Sequence, residues 1–143
     1  MKRQAPLSNE DQNLLFMPGL FHETMDIIFD SYEYFQLQDK INEGHIPPYL
    51  QTIYSHEMSR ITMRLTSVMA WLMARKAVLS GQLSDEEASS EYRLDGTDIC
   101  LQSGGDLQEV LPAYLIELLD KSLKLYERVW RLDAQLYNHK QSH

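Results

Sequence analysis

The chain has 143 residues, of which 43% are hydrophobic and 24% charged, and its formal net charge at pH 7 is -8. This length corresponds to one domain with a single hydrophobic core, and the negative charge disfavours a nucleic-acid binder, because phosphate backbones require a basic surface. The single cysteine, Cys100, is typical of a reducing compartment. No apolar stretch reaches the roughly 20 residues of a membrane span, and the N-terminus lacks the apolar core of a signal peptide. We therefore expect a soluble, cytoplasmic protein without membrane insertion.

A polar arm, residues 1–17, precedes the first helical pattern. Pro18 suits the first turn of a helix. Apolar side chains then recur every three or four residues, which is the spacing of one helix face. They are Phe21, Met25, Ile28, Tyr32 and Phe35. This pattern predicts a first helix from residue 18 to about residue 40.

The second helical pattern is longer and lies between two helix-breaking signals. It follows Pro47 and Pro48, which cannot lie inside a helix, and it stops at Gly81, which suits a helix end. Its core stripe consists of Tyr54, Met58, Ile61, Leu65, Val68 and Leu72. The connection before it is short, so we expect the first two helices to be antiparallel neighbours.

The third helical pattern runs from Leu111 to about residue 138, with Pro112 in its first turn. Apolar residues recur there at alternating steps of four and three, interrupted by one serine. Three helices of similar length with single apolar faces are typical of a bundle. We therefore predict an all-α fold, a three-helix antiparallel bundle over residues 18–138, with a short C-terminal tail at residues 139–143.

A long acidic segment, residues 82–110, separates the second and third helices. It carries eight acidic residues and one basic residue. Ser84 followed by Glu87 predicts a capping box that begins a short helix, within what is otherwise a long acidic loop. The segment is interpreted either as a solubilising loop or as a docking element for a basic patch on another protein. The predicted partner-binding residues are Asp85, Glu86, Glu87 and Glu91.

The second helix carries a further stripe, about 100° around from its core stripe, that is polar in its first half and apolar around Trp71. Between Val68 and Ala74 the helix has no polar side, and such a helix is buried all round. Either the 82–110 segment folds over Trp71, or this face forms the interface of a homodimer. Tryptophan and methionine are enriched at interfaces, and the predicted interface residues are Met63, Trp71, Ala74 and Val78.

The sequence contains no recognisable catalytic motif: no Gly-rich phosphate loop, no nucleophile elbow and no cysteine pair. His22 and Asp26 share a helical face but lack the further ligands of a metal site. We expect them to be solvated, with no catalytic residue, metal or cofactor. Carboxylates near Cys100 disfavour a reactive thiolate. A metal-dependent bundle enzyme using His22 and Asp26 is kept as an alternative, as is a transcriptional regulator.

Several short segments resemble, in the same order, the RcdA family, also called DUF1465. They are Tyr54–Leu65, Ala70–Ala77, Leu111–Leu115 and Arg128–Asp133, with the acidic Ser84–Tyr92 piece between them. The resemblance covers roughly residues 15–138 and is specific in the second and third helices.

This resemblance implies a three-helix bundle that forms homodimers and has no enzymatic activity. Members of the family act as adaptors in regulated proteolysis. They help the ClpXP protease, primed by the response regulator CpdR, to take up cell-cycle regulators such as CtrA, with a PopA-like factor and recruitment to the cell pole. The resemblance implies no nucleotide site in the chain itself.

Overall fold

The protein is described by a computed structural model that covers residues 17–41, 47–102 and 110–141. Within these ranges it forms five helices and no strand, so the predicted all-α class is confirmed. The helices are α1 (Met17–Ile41), α2 (Pro48–Leu79), α3 (Asp85–Glu91), α4 (Thr97–Cys100) and α5 (Ala113–Gln141). None of them is long and apolar enough to cross a membrane. The predicted N-terminal arm lies outside the described residues except for Met17, and α5 runs three residues beyond its predicted end.

The three long helices, α1, α2 and α5, each pack against the other two. Lys76, near the end of α2, lies 5.7 Å from the ring of Phe21 at the start of α1. Arg128, in the second half of α5, donates to Glu23 in the same part of α1 at 2.8 Å. Both α2 and α5 therefore run antiparallel to α1.

In consequence α2 and α5 are parallel to each other. Arg64 of α2 donates to Ser122 of α5 at 3.1 Å, and further along both helices Trp71 donates to Asp133 at 2.9 Å. The predicted antiparallel arrangement does not extend to this pair. Two parallel helices need a connection that returns along the whole helix, which for the 32 residues of α2 is about 48 Å. This distance explains the length of the segment between them.

We call residues 80–112 the connector; its described parts are residues 80–102 and 110–112. Its second residue, Gly81, has a φ of +78°, in the left-handed region that glycine favours, and turns the chain away from α2. The Ser84 half of the predicted capping box is confirmed, since the Ser84 hydroxyl accepts from the amide of Glu87 at 3.1 Å and α3 follows. The expected acidic loop is therefore largely structured in its described part. Ala88 and Cys100 are fully buried, because the connector lies in the groove between α2 and α5.

The connector makes a series of side-chain contacts with the long helices, from the end of α2 towards the middle of α2. In order, Asp85 pairs with Arg75, Arg93 with Asp133, and the Cys100 carbonyl with Arg64. Asp133 is 3% exposed, and its two carboxylate oxygens accept from Trp71 at 2.9 Å and from Arg93 at 2.7 Å. One buried carboxylate thus joins α2, α5 and the connector.

Arg64 joins the same three elements near the middle of the bundle. Only 1% of its surface is exposed. Its guanidinium donates to the carbonyls of Cys100 at 2.8 Å, Gln102 at 2.7 Å and Leu119 at 3.0 Å, and to the hydroxyl of Ser122 at 3.1 Å. Burial lowers the pKa of Arg64 to about 10, so the side chain stays charged at neutral pH. Carbonyl dipoles of the connector and of α5 solvate this charge in place of water.

Replacing Arg64 with methionine is expected to destabilise the fold by about 3 kcal/mol, because buried carbonyl and hydroxyl acceptors lose their donor. Urea unfolding at neutral pH measures this loss. Arg131→Met is the matched control, since Arg131 makes an exposed pair with Glu127 at 3.6 Å, and we expect a change below about 0.5 kcal/mol. Equal costs for the two variants would contradict the role given to Arg64.

Candidate protein-binding face

From its start to Met73, the outer side of α2 carries no acidic or basic side chain other than His56, because its charged side chains face inward. Up to residue 75 its charged residues are Glu57, Arg60, Arg64 and Arg75, and all four are buried. Glu57 and Arg60 form an ion pair at 3.0 Å whose side chains are 2% and 8% exposed. An ordinary surface helix has the opposite arrangement, with charges on its solvent side.

The exposed side of α2 from Ser55 to Met73 consists of small polar and apolar residues, apart from His56. They are Ser55, Ser59, Thr62, Met63, Thr66, Ala70 and Met73. The adjoining side of α1 adds two exposed aromatic residues, Phe29 at 58% and Tyr32 at 62% exposure. We call these nine residues together the neutral face.

A groove runs along this face, between α1 and α2 at its Met73 end and over the outer side of α2, beside Phe35 of α1, at its Ser55 end. Two adjoining cavities of about 500 and 540 Å³ form it, and both are lined by Phe35, Thr62 and Thr66. From Ser55 to Met73 the groove follows α2 for about 27 Å, at 1.5 Å per residue. We call it the α1–α2 groove.

These features are the ones that distinguish protein interfaces from ordinary surface. The cores of interfaces are depleted of charged residues and enriched in aromatic residues and methionine. A contiguous exposed apolar patch on a monomer marks a binding surface. The neutral face is therefore the candidate protein-binding surface of this chain.

The residues predicted for a dimer interface do not form one exposed surface. Trp71 is 3% exposed, so its placement on an exposed face is wrong. The alternative interpretation agrees with the structure, since Asp133 bonds Trp71 and holds Arg93 of the connector beside it. Met63 is exposed at 38%, while Ala74 and Val78 are half-buried. The homodimer itself stays a prediction.

The four acidic residues predicted to bind a partner have two different environments in α3. Asp85 pairs with the buried Arg75 at 2.8 Å and so helps to hold the connector. Glu86, Glu87 and Glu91 are exposed. Binding of a partner by these residues stays a prediction.

His22 and Asp26 lie on the exposed side of α1. His22 Nε2 is 3.7 Å from an oxygen of Asp26, and their side chains are 82% and 63% exposed. In the part of the chain that the structure describes, no group of three or more His, Cys, Asp and Glu side chains could hold a metal ion.

Cys100 belongs to the connector, and its thiol is fully buried where the connector packs against α2 and α5. Burial raises the pKa of Cys100, and the nearby Asp95 and Asp98 raise it further to a smaller extent. Nearby carboxylates were the predicted reason for the low reactivity of this thiol, whereas loss of water is the larger cause. At neutral pH this group is a protonated, inaccessible thiol.

The neutral face was not predicted from the sequence, although its signal is present in the pattern. The charged residues of α2 fall on the stripe that also contains Trp71, and the pattern was interpreted as an outer face. Charged residues on the same helix stripe as a tryptophan can equally indicate that this stripe is buried beneath another segment. The structure decides between an exposed stripe and a buried one, because the connector covers this stripe.

Because Cys100 is the only cysteine, its alkylation reports directly on docking of the connector. At pH 8 we expect the native protein to react with iodoacetamide at least about 100-fold more slowly than the protein in urea. The variant Arg64→Met is expected to react about tenfold faster than the wild type, since its connector loses the bonds to Cys100 and Gln102. A native rate equal to the denatured rate would contradict the buried position of the thiol.

The chain was compared with protein-family models, curated proteins and solved structures. The model of DUF1465, described as a protein of unknown function, matches residues 10–143. No curated protein and no solved structure matches the chain. Since the match spans nearly the whole sequence, the chain belongs to the DUF1465 family.

Proposed function

We propose that this protein is a non-enzymatic adaptor that acts by binding other proteins. The neutral face is the single observation that carries the proposal. A chain with a net charge of -8 has ample charge to cover a helix exposed to water, yet up to Arg75 α2 buries its charged side chains and exposes Thr62, Thr66 and Met73. Such a surface is favourable where a partner covers it.

An adaptor of this kind acts by tethering. It binds a substrate and an enzyme at the same time and raises the effective concentration of one near the other, without touching the bond that is cut. The helical frame suits this role because the α1–α2 groove and the exposed acids of α3 lie on different elements of one anchored structure. Two partners could then bind without competing for the same residues.

In its finer form, the proposal is that the protein assists regulated proteolysis by ClpXP of cell-cycle regulators such as CtrA, as RcdA does. CpdR, a PopA-like factor and the cell pole belong to the same proposal. Its support is the resemblance of short segments in α2 and α5, together with membership of DUF1465. These segments contain Arg64, Trp71 and Asp133, which hold the connector. The resemblance of these segments therefore supports a fold shared with RcdA more directly than it supports shared substrates.

The test of the adaptor function is a reconstituted degradation reaction with ClpXP, CpdR and CtrA, with and without this protein. We expect faster substrate loss with it, and loss of most of that effect in Thr66→Glu, which places a charge in the groove. Ala113→Glu is the matched control, because it adds the same charge at an exposed position at the start of α5, where a carboxylate is tolerated.

Circular dichroism of both variants verifies that they fold. If the wild type neither accelerates degradation nor co-precipitates the protease or the response regulator from a lysate, the finer proposal is wrong. If Thr66→Glu and Ala113→Glu act alike, the groove is not the surface that carries the function.

The proposal includes a homodimer. Met63, Ala74 and Val78 lie on the side of α2 next to the connector, about 100° around the helix from the groove residues Thr62 and Met73. Because Met63 also belongs to the neutral face and lines the cavity of about 540 Å³, a second copy packed there would reach the Ser55 end of the groove. Sedimentation should give a dimer for the wild type and a monomer for Met63→Glu, and a wild type that is monomeric at high micromolar concentration would contradict it. Trp71→Glu is unsuitable as a test, since Trp71 is buried.

A further inference from the structure

An exposed tryptophan lies on α5 next to the connector. Trp130 is 41% exposed, whereas Asp133, three residues on, is buried and accepts from Arg93 of the connector. Residues three or four apart are neighbours on a helix surface, so Trp130 lies beside the point where the connector meets α5. Tyr137, seven residues after Trp130, is half-buried and lies on the same side of the helix. We call Trp130, Tyr137 and Arg93 together the α5 patch.

Arg93 contributes to this patch a guanidinium that the fold holds in place. Its Nε donates to Asp133 at 2.7 Å, and its Cζ lies 4.1 Å from the ring centroid of Tyr137. The carboxylate of Asp133 is itself fixed, since its other oxygen accepts from Trp71 at 2.9 Å. A guanidinium held in this way loses little conformational freedom when it binds a further group.

The terminal nitrogens of Arg93 are open to such a group. Within the described residues, the hydrogen bond of this side chain is the one from Nε, and the side chain is 38% exposed. The two terminal nitrogens form the planar fork that binds both oxygens of a carboxylate. Arg128, also exposed, differs in this respect, because its fork already donates to both oxygens of Glu23.

The composition of the α5 patch is that of an interface hot spot. Tryptophan, tyrosine and arginine are the residues most enriched at hot spots. Leu123 and Ala134, seven residues before and four residues after Trp130, are half-buried on its side of the helix and extend its apolar surface. Trp130 and Tyr137 are separated by about 10 Å along the helix, a distance that an extended peptide crosses in about three residues.

We infer that the α5 patch binds an extended segment of another protein in which an apolar residue and an Asp or Glu lie about three positions apart. The apolar residue packs on Trp130, and the carboxylate binds the terminal nitrogens of Arg93. The inference concerns a different surface from the neutral face and does not rest on it. The charge complementarity is local, because the chain's net charge of -8 repels an acidic segment at a distance.

A short peptide with blocked ends serves as the probe. It has Glu at its centre and Leu three positions to either side, so that it fits in both chain directions, and a second peptide has Gln in place of Glu. Heteronuclear NMR titration of the full chain measures binding. We expect the Glu peptide to shift the indole signal of Trp130 and to bind at least about fivefold more tightly than the Gln peptide. Equal affinities would overturn the inference, since long-range repulsion already disfavours Glu.

Two arginine variants test the contact with the carboxylate. Arg93→Gln is expected to abolish the preference for the Glu peptide, while Arg131→Gln, which removes the same charge from an exposed pair on α5, is expected to keep most of it. Alkylation of Cys100 verifies that the connector stays docked. Arg93→Lys, which keeps the charge beside Asp133, is expected to bind the Glu peptide about threefold more weakly, because lysine lacks the fork. Equal effects of Arg93→Gln and Arg131→Gln would contradict the contact.

Trp130→Ala tests the apolar contact and is expected to weaken binding of both peptides at least about fivefold. Tyr49→Ala is the control, because Tyr49 is 67% exposed at the start of α2, and it should bind as the wild type does. Equal losses in these two variants would overturn the inference. Thr66→Glu should also bind the peptides normally, whereas loss of binding there would place them on the neutral face. If a peptide binds only when its carboxyl terminus is free, the ligand is a chain end and the inference is wrong.

Discussion

The guanidinium of Arg64 fixes the arrangement of α2, α5 and the connector, and the rest of the structure depends on it. A buried charge is tolerated only where oxygens replace its water, and Arg64 finds four of them: the carbonyls of Cys100, Gln102 and Leu119 and the hydroxyl of Ser122. Carbonyls that no helix bond already uses lie at helix ends, turns and loops, as those of Cys100 and Gln102 do, whereas the Leu119 carbonyl lies within α5 and is shared. The connector therefore has to pass close to the middle of α2, and it cannot lie in solvent as a separate loop.

The position of the connector determines which surface the protein presents to others. Because the connector and α5 cover the charged side of α2, the helix is left with its uncharged side towards water. The anchors that fold the chain and the surface proposed for binding are thus opposite sides of one helix. A substitution at Arg64 would act on the frame, whereas one at Thr66 would act on the surface, and this separation makes the proposed function accessible to mutation.

Regular spacing made the long helices predictable. The stripes that begin at Phe21, Tyr54 and Leu111 are local patterns, and the prolines and Gly81 bound them. The cap at Ser84 was predictable for the same reason, since its partner is the amide of Glu87, three residues on. The direction of α5, the burial of Trp71 and the packing of the connector were not. Each depends on a contact between residues 36 to 62 positions apart, for which the pattern of one segment has no signal.

Local sequence therefore determined that this chain is helical, where its long helices lie and that its family is DUF1465. Only the tertiary structure decided which side of α2 is buried. The second stripe of α2 carries charged residues and Trp71. Such a stripe is stable either when it is exposed to water or when it is covered by a segment that supplies hydrogen-bond acceptors. The connector supplies them through Asp85 and the carbonyls of Cys100 and Gln102, and α5 through Asp133. The physical reason is that burying a charge costs free energy unless distant residues pair with it, and only the folded chain brings them together.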